Sequence, residues 1–306
     1  MANILPNDVL IRRLAIVKYL FNLGVQQSYQ VETVAGFSIL AFHDSIEMFL
    51  QLVAENKGEK GSDVFMSYWD KYPELTLKES IRNLKDRRVN IKHKGLFPAK
   101  NDIEVSRITA LEFFNQNTPL QFNLSFENIS LTSLVSYTNV KDYLQEAEKS
   151  LSVSNYYECL INTKKAFLEL LTTYENTKYS GYINIGNKVG DEYKKLVSDD
   201  KYGAQWFRNI TATTNYLRDS LNNLQDSLKI TALGIDYRKY SLFNLITPYT
   251  EYYVTSKGIE YHSISKEKFE ERFNIRHQDC QFCIDFVVDS ALKLQEFDFD
   301  IKTILK

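Results

Sequence analysis

FSILAFHDSIEMFLQLVAEN, residues 37–56, decides the fold class. Together with Val34 just before it, Phe37, Leu40, Ala41, Met48, Leu52 and Val53 recur at helical spacing, which gathers apolar side chains on one side of an α-helix rather than one face of a strand. The stretch predicts a helix over residues 30–56 that ends in the turn at 56–61. Before it, Val9, Leu10, Leu14, Val17, Leu20 and Phe21 follow the same period, with Asn7 or Asp8 as cap. These predict a first helix over 7–27 and, with the second, an antiparallel hairpin. With only 11 glycines and 5 prolines in 306 residues, few positions could supply the tight turns of an all-β chain. The expected class is all-α.

Further along, 62–72 predicts a short helix stopped by Pro73. Thr76 with Glu79 has the form of a capping box opening the helix that leads into Arg87 and Arg88 and frays near Lys94 and Gly95. Asn101 with Glu104 repeats that form and starts a helix to about 116, broken by Asn117, Thr118 and Pro119. Residues 119–130 (PLQFNLSFENIS) alternate apolar and polar, as an extended connector or short edge strand would. They divide a domain over 1–120 from a second over 131–306. In the second, helices over 131–152 and 155–176 precede a glycine-bearing loop at 179–190. Further helices are expected near 191–197, 199–232, 236–255 and 278–296. The long-helix, short-turn rhythm leaves open a diverged repeat of the first domain. No low-complexity tract or sustained heptad array stands out.

A hydrophobic content of 44% with 25% charged residues is that of a folding globular chain. The net charge of −2 argues against a uniformly basic coat for nucleic acid, so any such contact is local. Three cysteines, Cys159, Cys280 and Cys283, fit a reducing compartment. The apolar stretch 9–23 is interrupted by Arg12, Arg13 and Lys18, so neither a secretory signal nor a membrane span is expected. Cytoplasm is the expected location, and the glycosylation triplets at Asn123, Asn128 and Asn209 then carry no weight. No phosphate-cradling glycine loop, nucleophile elbow or helix-borne metal pair is present.

Chemistry concentrates in LKDRRVNIKHKG, residues 84–95. Histidine titrates near neutrality and can take or give a proton at a ribose 2′-hydroxyl or a leaving 5′-oxygen. Arginine is always charged and offers a planar fork to a phosphate. Arg88, four intervening residues and His93 resemble the R-X4-6-H motif of the HEPN superfamily. Val89-Asn90-Ile91-Lys92-His93-Lys94-Gly95 resembles the way that motif is dressed in bacterial relatives. Residues 43–50 (HDSIEMFL) and the stretch 155–171 are similar to HEPN core helices.

The resemblance implies HEPN-like helical bundles, two in tandem if the chain is duplicated, each with a four-helix core. It also implies a metal-independent endoribonuclease with no cofactor, whose Arg88 and His93 act in a composite site across a homodimer or pseudo-dimer, with Arg87, Asn90 and Lys92 positioning RNA. The implied setting is a toxin–antitoxin, CRISPR-associated or antiphage system, with a protein partner in a defence complex. Silent members of the superfamily exist, so a helical binding or scaffold module for a partner protein or nucleotide signal is the other expectation. The bland reading of the segment is a solvated basic helix end whose cations favour the helix dipole.

Arg272-Phe273-Asn274-Ile275-Arg276-His277 has the same form as residues 88–93, so Arg272 and His277 are a candidate second set, unless His277 merely begins a helix. His277, Cys280 and Cys283 share a helical spacing, but a fourth zinc ligand is lacking and the neighbours are apolar, so no metal is expected there. Asp44 and Glu47 are either acceptors for Arg88 or His93 or part of a solvated acidic face. Tyr249, Tyr252 and Tyr253 could stack on bases, though core or interface packing is the simpler role.

Overall fold

The computed structural model describes residues 5–62, 64–176, 204–255, 258–296 and 298. They form two compact units, one up to Leu134 and one from Val135 onward. Both are helical and the class is all-α, with one two-stranded ribbon in the second unit. Among the described residues no helix is long and apolar enough to cross a membrane.

In the first unit α1 (Asn7–Ser28), α3 (Ser38–Asn56), α5 (Lys78–Lys94) and α6 (Lys100–Phe122) make a four-helix bundle in which α3 touches the other three. The single turns α2 (Glu32–Ala35) and α4 (Tyr68–Lys71) fill the connections. Helices α1 and α3 run antiparallel: Arg13 ion-pairs with Glu55 at one end, and at the other Gly24 lies under Phe42, where any Cβ would come within 2.8 Å of the ring. Phe49 of α3 sits edge-to-face against Phe113, Phe114 and Phe122 of α6, with centroids 5.4–5.6 Å apart, an arrangement worth about 0.5–1.5 kcal/mol per pair beyond its buried area.

The apolar stripe read from the sequence is only half right. Ala41, Leu52 and Val53 are buried, but Val34, Phe37 and Met48 are exposed, and Ile39, Phe42, Ile46 and Phe49 carry the core. A helix covered by three neighbours is apolar on several sides, so its periodicity does not single out one face. The expected long second helix is divided at Gly36, against which the Phe97 ring packs so closely that a Cβ would meet it at 2.6 Å.

The three expected side-chain caps do not form. Pro6, Leu77 and Ala99 occupy the cap positions of α1, α5 and α6, without side-chain capping bonds. Thr76 is engaged instead by Asn117, which accepts its backbone N–H at 3.0 Å and donates to its hydroxyl at 2.9 Å. Nor does Pro119 stop α6, which continues to Phe122 before Asn123 closes it at φ 55°. Residues 119–130 therefore form no interdomain connector: Phe122, Phe126 and Ile129 are buried in the first unit's core, and the boundary falls after Leu134.

In the second unit α7 (Thr138–Ser152) and α8 (Tyr156–Asn176) form a hairpin on which α12 (His277–Glu296) packs. Helix α10 (Tyr237–Ile246) lies on α12, and α9 (Ala204–Ala232) meets α10. Phe167 of α8 joins Phe243 and Phe286 at 5.2 and 5.3 Å. The helix expected over 236–255 ends at Ile246. It gives way to β1 (Thr250–Thr255), paired antiparallel with β2 (Gly258–Ser263) in the register Tyr252↔Tyr261, and the short α11 (Lys266–Glu270) follows. The loop over 179–190 and the helix over 191–197 lie outside the described residues.

Candidate active site on helices α3 and α5

Helix α5 buries Ile81, Leu84 and Ile91 and ends on three basic residues, Lys92, His93 and Lys94, where the helix dipole favours positive charge. Gly95 closes it in the left-handed region, φ 64°, with its N–H bonded to the Ile91 carbonyl and the Leu96 N–H bonded to that of Asn90, both at 3.2 Å. Successive residues turn about 100° around a helix, so the cations of this segment face different neighbours.

Arg87 faces α6. Its guanidinium donates to Asp102 at 2.9 Å and to the Ser106 hydroxyl at 3.2 Å, while that hydroxyl donates to the Asp102 carbonyl at 2.7 Å. Expected to position substrate, Arg87 is instead engaged in clamping α5 to α6. Asn90 is half-buried, and its carbonyl serves the helix end.

Arg88 faces α3. Its Nε lies 3.5 Å from Asp44 Oδ1, and the side chain is 22% exposed. That Nε is buried and has no hydrogen-bond partner among the described residues, so its hold on Asp44 is ionic. A hydrogen bond from His43 and the nearby charges of Arg88 and Lys92 keep the Asp44 carboxyl below the usual carboxylate range, against a smaller opposing effect of burial.

His43, which the sequence reading quoted but gave no role, is the buried member of the group. Its ring stacks on Phe65 at 4.3 Å, and Nδ1 is 3.4 Å from Asp44 and 3.8 Å from Glu47. The signal was a histidine on an apolar helix with carboxylates one and four residues on, the latter one turn along the same face. Both acidic residues thus serve the group: Asp44 pairs with Arg88, and Glu47 approaches His43.

The ligand atoms of His43, Asp44 and Glu47 lie within 4.8 Å of one another, close enough for a metal ion to bridge. Against such a use, the charges of Arg88 and Lys92 already act on Asp44, and an entering cation would have to displace the guanidinium.

His93 is exposed in the last turn of α5. Five residues of helix rotate it about 140° from Arg88, whereas exposed Lys92, four residues on, lies only about 40° away. Within one chain Arg88 and Lys92 share a face, and His93 points elsewhere.

The candidate second set has a different local form. Arg272 is exposed in the turn after α11, with its N–H bonded to the Phe269 carbonyl at 3.0 Å, and exposed His277 begins α12. Residues 88–93 are helical throughout, while the matching hexamer reaches a helix only at its last residue. Arg276 pairs with Asp279, which also accepts the Arg276 N–H at 2.9 Å. Cys280 and Cys283 are buried free thiols. Contact with Cys159 and burial push the Cys280 thiol up, and burial pushes the Cys283 thiol up, as suits small core residues. Tyr249, Tyr252 and Tyr253 are not core residues but exposed, and the hydroxyls of Tyr249 and Tyr253 donate to Glu251. Compared with protein-family models, curated proteins and solved structures, the chain matches none.

Proposed function

We propose that the first unit is a metal-independent endoribonuclease of HEPN type, with Arg88 as phosphate clamp and His93 as general acid or base. The observation that carries this reading is the division of labour on α5. Arg88 is presented from the α3 contact by Asp44, and a solvent-facing histidine ends the same helix between two lysines. In the reaction the 2′-hydroxyl loses its proton and attacks the adjacent phosphorus, and the bond to the 5′-oxygen breaks. That oxygen leaves protonated, and a 2′,3′-cyclic phosphate remains. Arg88 stabilises charge on the phosphoryl oxygens, and His93 moves a proton at one of the two ribose oxygens.

Because the two residues point about 140° apart on one helix, a single chain does not bring both to one phosphate. The composite site of a dimer, with the histidine of one α5 working beside the arginine of another, removes the difficulty. Lys92, on the Arg88 face, then guides the RNA strand, and the setting is bacterial defence or a toxin–antitoxin pair.

A second reading, a silent helical module binding a protein or nucleotide signal, is favoured by the same Arg88–Asp44 pairing, since an arginine held between helices can be structural. Cleavage of a mixed RNA pool in EDTA separates the two. The nuclease reading expects wild-type protein to leave cyclic phosphate ends, with Arg88→Ala and His93→Ala folded but inactive. Equal inactivity of all three, alone and with cell extract, sinks it in favour of the binding module.

A further inference from the structure

Where α5 hands over to α6, the run Lys92-His93-Lys94-Gly95-Leu96-Phe97-Pro98-Ala99-Lys100 holds four basic side chains and no acidic one, in a chain whose net charge is −2. All four are exposed. Elsewhere in the first unit Lys57, Lys71 and Lys78 are paired with carboxylates, whereas among the described residues His93, Lys94 and Lys100 pair with none. Positive charge left without a partner on one stretch of surface attracts a polyanion locally, whatever the sign of the whole chain.

Among these cations stands an aromatic ring that the fold holds without covering. Phe97 is 51% exposed, yet its ring is pinned. It packs against Gly36, where any Cβ would come within 2.6 Å of it, and meets Phe37 edge-to-face with centroids 5.2 Å apart. Pro98 fixes its own φ and confines Phe97 to extended backbone. Phe37 is itself 43% exposed, so the pair lies at the surface rather than in the core. The bond from the Leu96 N–H to the Asn90 carbonyl turns the chain at the end of α5, and Phe97 follows His93 by only four residues.

A pinned, half-open ring among unpaired cations suits the two parts of one nucleotide, a base that stacks and a phosphate that is neutralised. A protein partner suits it less, because lysine is depleted in protein interfaces and these cations would have to be desolvated without an acid of their own. A duplex suits it less too, since its bases are stacked on one another and only unpaired bases can be splayed onto an aromatic ring. We infer that Phe97 is a base-stacking residue for single-stranded RNA, with Lys94 and Lys100 as phosphate contacts. The inference takes the identity of the polyanion from the nuclease reading and adds the residue that selects an unpaired nucleotide close to His93.

Fluorescence anisotropy in EDTA tests it, with the full chain and a labelled 2′-O-methyl RNA strand, which lacks the free 2′-hydroxyl that cleavage needs, and a thermal melt of each variant. The wild type is expected to bind the strand more tightly than the same strand annealed to its complement. Phe97→Ala is expected to weaken single-strand binding about 5- to 100-fold and to leave duplex binding unchanged, while Phe97→Trp keeps both. Lys94→Gln/Lys100→Gln is expected to weaken both and to flatten the salt dependence. If Phe97→Ala melts early through its lost packing on Gly36 and Phe37, Phe97→Leu, which keeps the apolar contact and removes the ring, is read in its place. A wild type that does not bind the strand overturns the inference, and self-association lost in the Phe97 variant would then mark the face as a protein contact. Equal binding by wild type and a folded Phe97 variant overturns it as well, and so does a duplex bound as tightly as the strand. Because the probe cannot be cut, binding of this pattern without cleavage of ordinary RNA would sink the nuclease reading and leave the stacking residue in place.

Discussion

Replacing Asp44 by Asn and Arg88 by Met, singly and together, tests whether α3 holds the arginine of α5. At the observed 3.5 Å, Coulomb's law gives about 1.2 kcal/mol at the dielectric constant of water and about 5 kcal/mol at an effective value near 20. The Asp44 side chain is 49% exposed, so solvent screening and the entropy of fixing both side chains keep the contribution near the lower figure. The coupling energy of the cycle is expected at about 0.5–1 kcal/mol, shrinking in high salt. Urea unfolding in a Trp206→Phe background leaves Trp69 of the first unit as the sole tryptophan, buried and bonded to the Thr76 carbonyl at 2.8 Å. Its fluorescence then reports the first unit without the second unit's transition. A coupling below about 0.2 kcal/mol would mean that Asp44 does not hold the guanidinium, and the account of how α3 presents Arg88 would fall.

Gly95→Ala should cost about 1–2 kcal/mol through backbone strain alone, because φ is 64° and a Cβ there meets nothing within 4 Å; Gly95→Asn should cost less, both read from the urea midpoint. Asn117→Ala removes the partner of the Thr76 N–H and hydroxyl and of the Phe113 carbonyl inside the first unit, and a loss of about 2–4 kcal/mol in the same assay is expected. Burial lowers Lys164 to about 8 in the second unit, where it donates to Asn244 at 2.6 Å. Between about pH 8 and 10 the unfolded chain therefore holds a Lys164 proton that the folded chain has released, which raises stability with pH by up to about 1.4 kcal/mol per unit, while Cys280 and Cys283, pushed up in the fold, keep protons that the unfolded thiols lose above about pH 8.5 and act in the opposite sense. Burial also pushes Tyr137 and Tyr261 up, so above about pH 10 the tyrosines add to the fall, since unfolded tyrosines ionise first. Lys164→Met should remove the rising contribution, so that between about pH 8 and 10 stability falls more steeply with pH in the variant than in the wild type, and should stabilise the second unit at neutral pH; unfolding measured across that range with equal slopes in the two proteins would refute the assignment to Lys164.

Helical class and the α1–α3 hairpin were legible because they rest on local periodicity, which three- and four-residue spacing carries within a single window. Helix starts were not, because the deciding contacts are distant: Thr76 had the form of a cap but is taken by Asn117, 41 residues away. Pro119 lacks the N–H that a helix needs, yet α6 passes it because Phe122 gains burial beside Phe49. The ribbon at Thr250–Ser263 was visible in TEYYVT, whose aromatic and β-branched residues suit a strand, but the window was read with the helix before it. At the candidate site, Arg88 and Asp44 could be paired from sequence, while His43 could not, since its burial under Phe65 depends on a turn that no periodicity places.

A motif counts residues along the chain, whereas chemistry depends on where a helix turns them. On α5 the about 100° step sends Arg87 to α6, Arg88 to α3 and His93 to solvent, so adjacent arginines of one sequence run have different work. Arg87 already holds two hydrogen bonds of ordinary length to Asp102 and Ser106, and a phosphate would have to break them. Among the described residues Arg88 is the reverse case: its buried Nε has no hydrogen bond, and its one carboxylate contact, with Asp44, is long. A phosphate reaching that guanidinium would replace a screened ionic contact with charge-assisted hydrogen bonds, which are shorter and roughly twice as strong as neutral ones. On the proposed reading, the arginine with the weaker contacts at rest is the one with most to gain from an anionic ligand at its exposed nitrogens, and this, more than the spacing to His93, favours Arg88 on α5.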